Sequence, residues 1–181
     1  PQSWSMGSGL RETKYHLSGV TLLECLITLT IVAILMCIGV PAYRDQLASA
    51  RAQQLYAAMQ YARSMAQLRG SEITLCPVID PSEKSPQCGG HFGQSFAAIE
   101  QNGADSKLLR VWSPVAGVIV TNRMGSSRIT GALRWNQQGL GRRNLTLSVC
   151  ALGHNWSVIT NRLGRPRMAR DWGVCRSGVS P

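Results

Sequence analysis

"VTLLECLITLTIVAILMCIGV", Val20–Val40, is a run of 21 residues in which Glu24 is the one charged side chain. Wound as an α-helix, a run of that length extends about 31 Å, enough to cross the hydrocarbon core of a bilayer. Arg11 and Lys14 precede it, and basic flanks stay on the cytoplasmic side, so the chain beyond Val40 is expected to be exported. The run is longer than the apolar part of a secretory signal, so it reads as an anchor. A carboxylate costs about 2.5–3.5 kcal/mol at the centre of such a helix and less near an end. Glu24 is therefore read as a functional residue.

Beyond Pro41, which can kink a helix without ending it, residues 42–69 keep a helical period. Leu47, Leu55, Met59, Ala62 and Met65 or Ala66 recur at spacings of three to four, which predicts an apolar stripe facing a core. The Met and Tyr side chains are assigned to that core, and Arg51, Arg63 and Arg69 to the opposite face. Gly70-Ser71 supplies a stop. The period then shortens. Strand-like runs are expected at Ile73–Pro77, Ser95–Glu100, Leu108–Trp112, Gly117–Thr121, Ala132–Asn136, Asn144–Cys150, Trp156–Asn161 and Arg165–Ala169, broken by Gly, Pro or Asn. Residues 80–93 and 122–128 read as exposed loops. The fold class is α+β, a long N-terminal helix packed through its second half on an antiparallel β domain.

Cys25 and Cys37 fall in the apolar helix, where cysteine acts as a small hydrophobe. Cys76, Cys88, Cys150 and Cys175 fall in the exported part, where disulfides persist. Their order along the chain suggests Cys76 with Cys88 and Cys150 with Cys175, and two other pairings remain open. No metal or cofactor is expected: there is no C-x2-C pair, and His91 and His154 lack ligand-like spacing. Catalysis has no support either. The segment 101–181 holds two carboxylates, Asp105 and Asp171, and no G-x-S-x-G, phosphate loop or dinucleotide fingerprint occurs. A Cys150–His154 nucleophile pair would require a free thiol at Cys150.

Charge is distributed one-sidedly. Residues 1–100 carry seven Lys+Arg and seven Asp+Glu, whereas 101–181 carry twelve Lys+Arg against two acids. Of the 19 cations, 16 are arginine, whose planar donor fork suits phosphate and carboxylate. The segment "NRLGRPRMAR", 161–170, concentrates Arg162, Arg165, Arg167 and Arg170 around Gly164. In an extended segment Arg165 and Arg167 would share a face about 6.5–7 Å apart, and Pro166 favours a sheet edge. "GLGRRN", 139–144, adds Arg142 and Arg143 on a second Gly-rich turn. Such a cluster fits sequence-independent phosphate binding, with Trp156 and Trp172 as candidate stacking partners for bases. It also fits edge protection, or ion pairing within an assembly.

Two resemblances bear on these readings. "KYHLSGVTLLECLITLTIVAILMCIGVPAYRDQ" resembles the type IV prepilin signature: a basic leader, Gly19 at the cut, Glu24 beyond the new N-terminus, an apolar helix and Pro41. Val20 stands where that signature usually has Phe or Met. "ALRWNQQGLGRRNLTLSVC" and "VITNRLGRPR" extend the similarity to the GspH/FimT family of minor pilins and pseudopilins, over Gly19 to Arg167. The resemblance implies a leader, 1–19, cut after Gly19 by a prepilin peptidase that methylates the Val20 amine. It implies a transmembrane assembly helix, 20–41, its amphipathic continuation, 42–70, and a β domain, 71–181, first on the inner membrane and then in a pilus fibre. Glu24 would pair with the N-terminal amine of a neighbouring pilin, relieving two buried charges together. Gly164, Arg165, Pro166 and Arg167 match the G-R-x-R motif with which FimT-like members bind double-stranded DNA during natural transformation. The alternative that the resemblance leaves open is a purely structural role without DNA, as a GspH-like pseudopilin of type II secretion or as a minor pilin that primes assembly.

Overall fold

The computed structural model describes residues 21–80, 87–103 and 105–176. Gly19, Val20 and the leader lie outside the described residues. Among the described residues, one helix, α1 (Leu22–Arg69), is followed by eight strands: β1 (Glu72–Pro77), β2 (Phe96–Asn102), β3 (Asp105–Trp112), β4 (Ile119–Thr121), β5 (Leu133–Trp135), β6 (Leu145–Ala151), β7 (His154–Thr160) and β8 (Arg167–Arg170). The chain divides into two compact units, Pro1–Ile38 and Gly39–Pro181. In the first, Leu23, Leu26, Ile31, Ile34 and Leu35 are all exposed, and the helix is long and apolar enough to cross a membrane. Its first turn carries Glu24, whose amide donates to Thr21 Oγ1 at 3.2 Å, a side-chain cap for an otherwise unpaired donor.

In the second unit, Ala48, Ala52, Leu55, Ala58, Met59, Ala62 and Ala66 form a fully buried stripe. Five of the seven are alanine, which lets the helix backbone approach the sheets closely. Two antiparallel four-stranded sheets complete the unit, in the orders β3-β2-β1-β5 and β4-β6-β7-β8. Ile73, Leu75, Phe96, Leu133, Trp135, Leu147, Val149 and Val158 meet the helix in one core. Disulfides join Cys76 to Cys88 and Cys150 to Cys175, so Cys150 has no free thiol.

Some expectations are corrected. Arg51 does not face away; it is 0% exposed. Its Nη2 donates to the carbonyl oxygens of Phe92 and Gln94, both at 2.7 Å, and its Nη1 to that of Ser113 at 2.9 Å and to Gln54 Oε1. Its Cζ lies 4.8 Å from the centre of the Phe96 ring. Burial lowers its pKa to about 10, so it stays charged at neutral pH. The spacing held the signal, since Arg51 stands four residues from both Leu47 and Leu55 and hence on the apolar stripe. Phe92, assigned to an exposed loop, is fully buried, and Tyr43, assigned to the core, is largely exposed. The last strand begins at Arg167, leaving Arg165 and Pro166 in the turn before it.

Candidate functional site

The two Gly-rich turns, separate in sequence, dock against each other. The first is built by Asn136, whose Oδ1 accepts the amides of Gln138 (3.1 Å) and Leu140 (2.8 Å), while Gly139 N donates to Asn136 O at 2.8 Å. The second is built by Asn161, whose carbonyl accepts Gly164 N at 2.9 Å and whose Oδ1 accepts Arg165 N at 3.3 Å. In both turns asparagine bonds its own downstream backbone, the usual reason it starts a turn. The turns are joined where Gly141 N donates to Arg162 O at 3.0 Å. Asn144 Oδ1, just past the first turn, accepts Arg162 N at 3.0 Å. Beneath them lies buried Trp135, whose Nε1 donates to Gly164 O at 3.1 Å. Gly164 adopts φ +71°, and a Cβ there would collide with the Gly139 carbonyl oxygen and the Trp135 ring. Only glycine satisfies both constraints.

This joint brings four arginines to one region: Arg142 and Arg143 from the first turn, Arg162 and Arg165 from the second. Arg167 follows at the start of β8, which among the described residues is an edge strand paired only with β7. Along 164–167 burial alternates, with Gly164 and Pro166 buried and Arg165 and Arg167 exposed. Both guanidiniums therefore project outward although only Arg167 belongs to the strand.

The cations differ in how much of their charge is free. Arg142 Nη2 lies 2.8 Å from Glu72 Oε2, and Arg134 Nη1 3.7 Å from Glu72 Oε1. Arg170 pairs with Asp45 at 3.3 Å and with Asp171 at 3.8 Å. Arg143 donates to the carbonyl of Ala132 at 3.4 Å. Among the described residues no carboxylate pairs with Arg143, Arg162, Arg165 or Arg167. Four of the six arginines singled out in the sequence thus keep a free positive charge, and Arg142 and Arg170 are partly neutralised.

The two candidate tryptophans separate as well. Trp156 packs on the core and donates from Nε1 to Asp45 Oδ1 at 3.1 Å. Trp172 is 44% exposed, with Arg123 Cζ 4.6 Å and Arg167 Cζ 5.6 Å from its ring centre. Arg123, in the loop after β4, went unremarked in the sequence, because nothing local ties it to the C-terminal segment.

Glu72 offers a test of sign. Glu72→Gln removes the carboxylate that holds Arg142 and Arg134 while keeping the shape, and so raises the positive field at the turns. Affinity for a polyanion is expected to rise about two- to threefold at low salt, with a smaller gain at high salt as screening shortens the field's reach. Titration of heparin at two salt concentrations checks this; an unchanged or weaker affinity would count against an anion-binding role for the turns.

No group of His, Cys, Asp and Glu among the described residues could hold a metal ion.

Residues 51–164 match the family described as Type II transport protein GspH. The fold is similar to that of the type IV minor pilin FimU of Pseudomonas aeruginosa, at 19% identity and a TM-score of 0.51, covering 70% of this chain and 90% of that one. It is similar also to the minor pseudopilin EpsH of the Vibrio cholerae type 2 secretion system, at 14% identity and a TM-score of 0.50, covering 68% and 96%. No curated protein matches the chain.

Proposed function

Since the chain belongs to the GspH family and is a minor pilin or pseudopilin rather than an enzyme, we propose that it acts in a type IV pilus of the FimT kind, binding extracellular double-stranded DNA for uptake in natural transformation. The observation that carries this reading is the joint of the two turns, which projects Arg165, Arg167, Arg162 and Arg143 without a carboxylate partner among the described residues. Phosphates are the natural ligands of such a cluster, and contacts to them carry no sequence preference. Arg142 and Arg170 support the field at its rim, and Gly164 sets the geometry.

The same proposal covers the other end of the chain. A prepilin peptidase cuts after Gly19 and methylates Val20, the helix holds the subunit in the inner membrane, and Glu24 meets the amine of a neighbouring pilin on assembly. Several copies in one fibre would add avidity to weak single-site binding.

The test is a titration of the full chain in a non-ionic detergent with duplexes of unrelated sequence, at several salt concentrations. Wild type is expected to bind them alike and to weaken steeply with salt. Arg165→Gln/Arg167→Gln is expected to lose about tenfold or more in affinity. Its log–log salt slope should be shallower by about 2, near 0.9 for each phosphate contact removed. If wild type fails to bind, or the double variant binds as well, the arginines serve assembly and the protein is a structural minor pilin or a pseudopilin of the type II secretion kind.

A further inference from the structure

We propose that Trp172 is a stacking seat for an unpaired base, so that the site takes single-stranded DNA or the frayed end of a duplex; this rests on the DNA-binding reading above. Trp172 is the exception among the described tryptophans. Trp112, Trp135 and Trp156 belong to the core or pack on it, whereas Trp172 lies outside it and is 44% exposed.

That exposure is built in by the backbone on both sides. Asp171 takes the left-handed conformation at φ +55°, which costs an ordinary residue conformational energy, and its amide donates to Asn155 O at 3.1 Å. Gly173 N donates to Asn155 Oδ1 at 2.9 Å, and a Cβ on Gly173 would collide with Ser148 Oγ. Val174 N donates to Arg123 O at 2.9 Å, and Cys175 is bonded to Cys150. The indole is therefore held outward by a fixed frame, which lowers the entropy lost when a ligand settles on it.

The surrounding chemistry is that of a nucleotide site. Arg123 and Arg167 lie 4.6 and 5.6 Å from the ring centre, and neither meets a carboxylate among the described residues. The neighbouring acid, Asp171, is engaged with Arg170 at 3.8 Å. A base arriving at the ring displaces the more distant guanidinium, that of Arg167, which then pairs with the phosphate of the same nucleotide. Stacking on tryptophan is sequence-tolerant because every base has a π face. Inside a duplex those faces are covered by neighbouring bases, so the seat discriminates by strandedness.

The experiment compares a 20-nucleotide oligo(dT), the corresponding blunt duplex and a duplex with a dT overhang, by fluorescence anisotropy of the labelled DNA with the full chain in detergent. Trp172→Ala is expected to weaken oligo(dT) and the overhang about tenfold while changing the blunt duplex less than twofold, with the salt slope unaltered. Trp172→Phe, which keeps a ring, should recover most of that loss. Oligo(dT) should also quench the tryptophan emission of wild type, and the quenching should disappear in Trp172→Phe. Equal losses on single strand and blunt duplex, or no loss on either, overturn the seat while leaving duplex binding standing. If wild type binds no DNA at all, the underlying reading fails with it.

Discussion

Arg51→Met is expected to destabilise the β domain by about 3–5 kcal/mol, because hydrogen bonds from a charged donor contribute about 1.5–3 kcal/mol each and several are lost together. At roughly 3–4 °C per kcal/mol for a domain of this size, the melting temperature should fall by about 10–20 °C. Methionine replaces most of the aliphatic stem, so no large cavity opens. The loss lies in the polar end. The carbonyls of Phe92, Gln94 and Ser113 all accept from this one guanidinium. That of Ser113 keeps a second donor, Gln54 Nε2 at 3.1 Å, whereas those of Phe92 and Gln94 lose theirs, and a buried acceptor left unpaired costs about 1–3 kcal/mol. Two segments remote in sequence, the lead into β2 and the exit from β3, are pinned to the helix by the same side chain. Arg51→Lys keeps the charge but offers a compact ammonium in place of a planar fork, and should recover less than half of the lost stability. Thermal unfolding followed by near-UV circular dichroism measures both; a fall of under 1 kcal/mol for the methionine variant would show that the three carbonyls find other donors.

Gly164→Ala is expected to cost about 2–4 kcal/mol and to open the joint between the two turns. One part is conformational, since an L residue at φ +71° pays about 1–2 kcal/mol. The other is steric: the new Cβ overlaps the Gly139 carbonyl oxygen and lies 2.9 Å from Trp135 Cδ1. Backbone and a buried indole cannot step aside as a flexible side chain would. The turns must separate, straining the Gly141–Arg162 and Trp135–Gly164 hydrogen bonds. Gly117→Ala is the control, because Gly117 sits at φ +75° with nothing within 4 Å of an added Cβ, so it carries the conformational part alone. Urea unfolding of the two variants should differ by at least about 1 kcal/mol. Equal losses would mean that the close approach at Gly164 contributes nothing. The alanine variant should also lose DNA affinity although every arginine is retained, since the cluster depends on the joint.

Most of the strands are legible because each is a short apolar run bounded by Gly, Pro or Asn, a local signal; the last, Arg-Met-Ala-Arg, is marked by its breaks alone. The helix was legible for the same reason, and so was the one-sided charge. Errors fell where a local rule met a tertiary demand. The charge of Arg51 argues for the surface although its spacing places it on the stripe; the carbonyls of Phe92 and Gln94 before β2 and of Ser113 after β3 outweigh the desolvation of a cation. Phe92 was assigned to a loop by its Gly- and Pro-rich neighbours, yet it fills the core from that loop. Arg165 left the expected strand because the turn begun at Asn161 continues through its side-chain bond to the Arg165 amide, although the outward direction of the side chain survived.

By itself, then, the sequence determined the apolar helix with its single carboxylate, the change of period after Gly70, and the excess of arginine without matching acid. Each follows from residues near one another in the chain, where spacing and composition act directly. The tertiary structure alone decided that the turns at 139–144 and 161–165 meet over Trp135. It also decided that Glu72 and Asp45 neutralise Arg142 and Arg170 while Arg165 and Arg167 stay free, and that Trp172 stands beside Arg123. Those outcomes depend on which strands pair and in what register. A charge or an aromatic ring acquires its role from neighbours that only the closed sheets bring within a few ångströms.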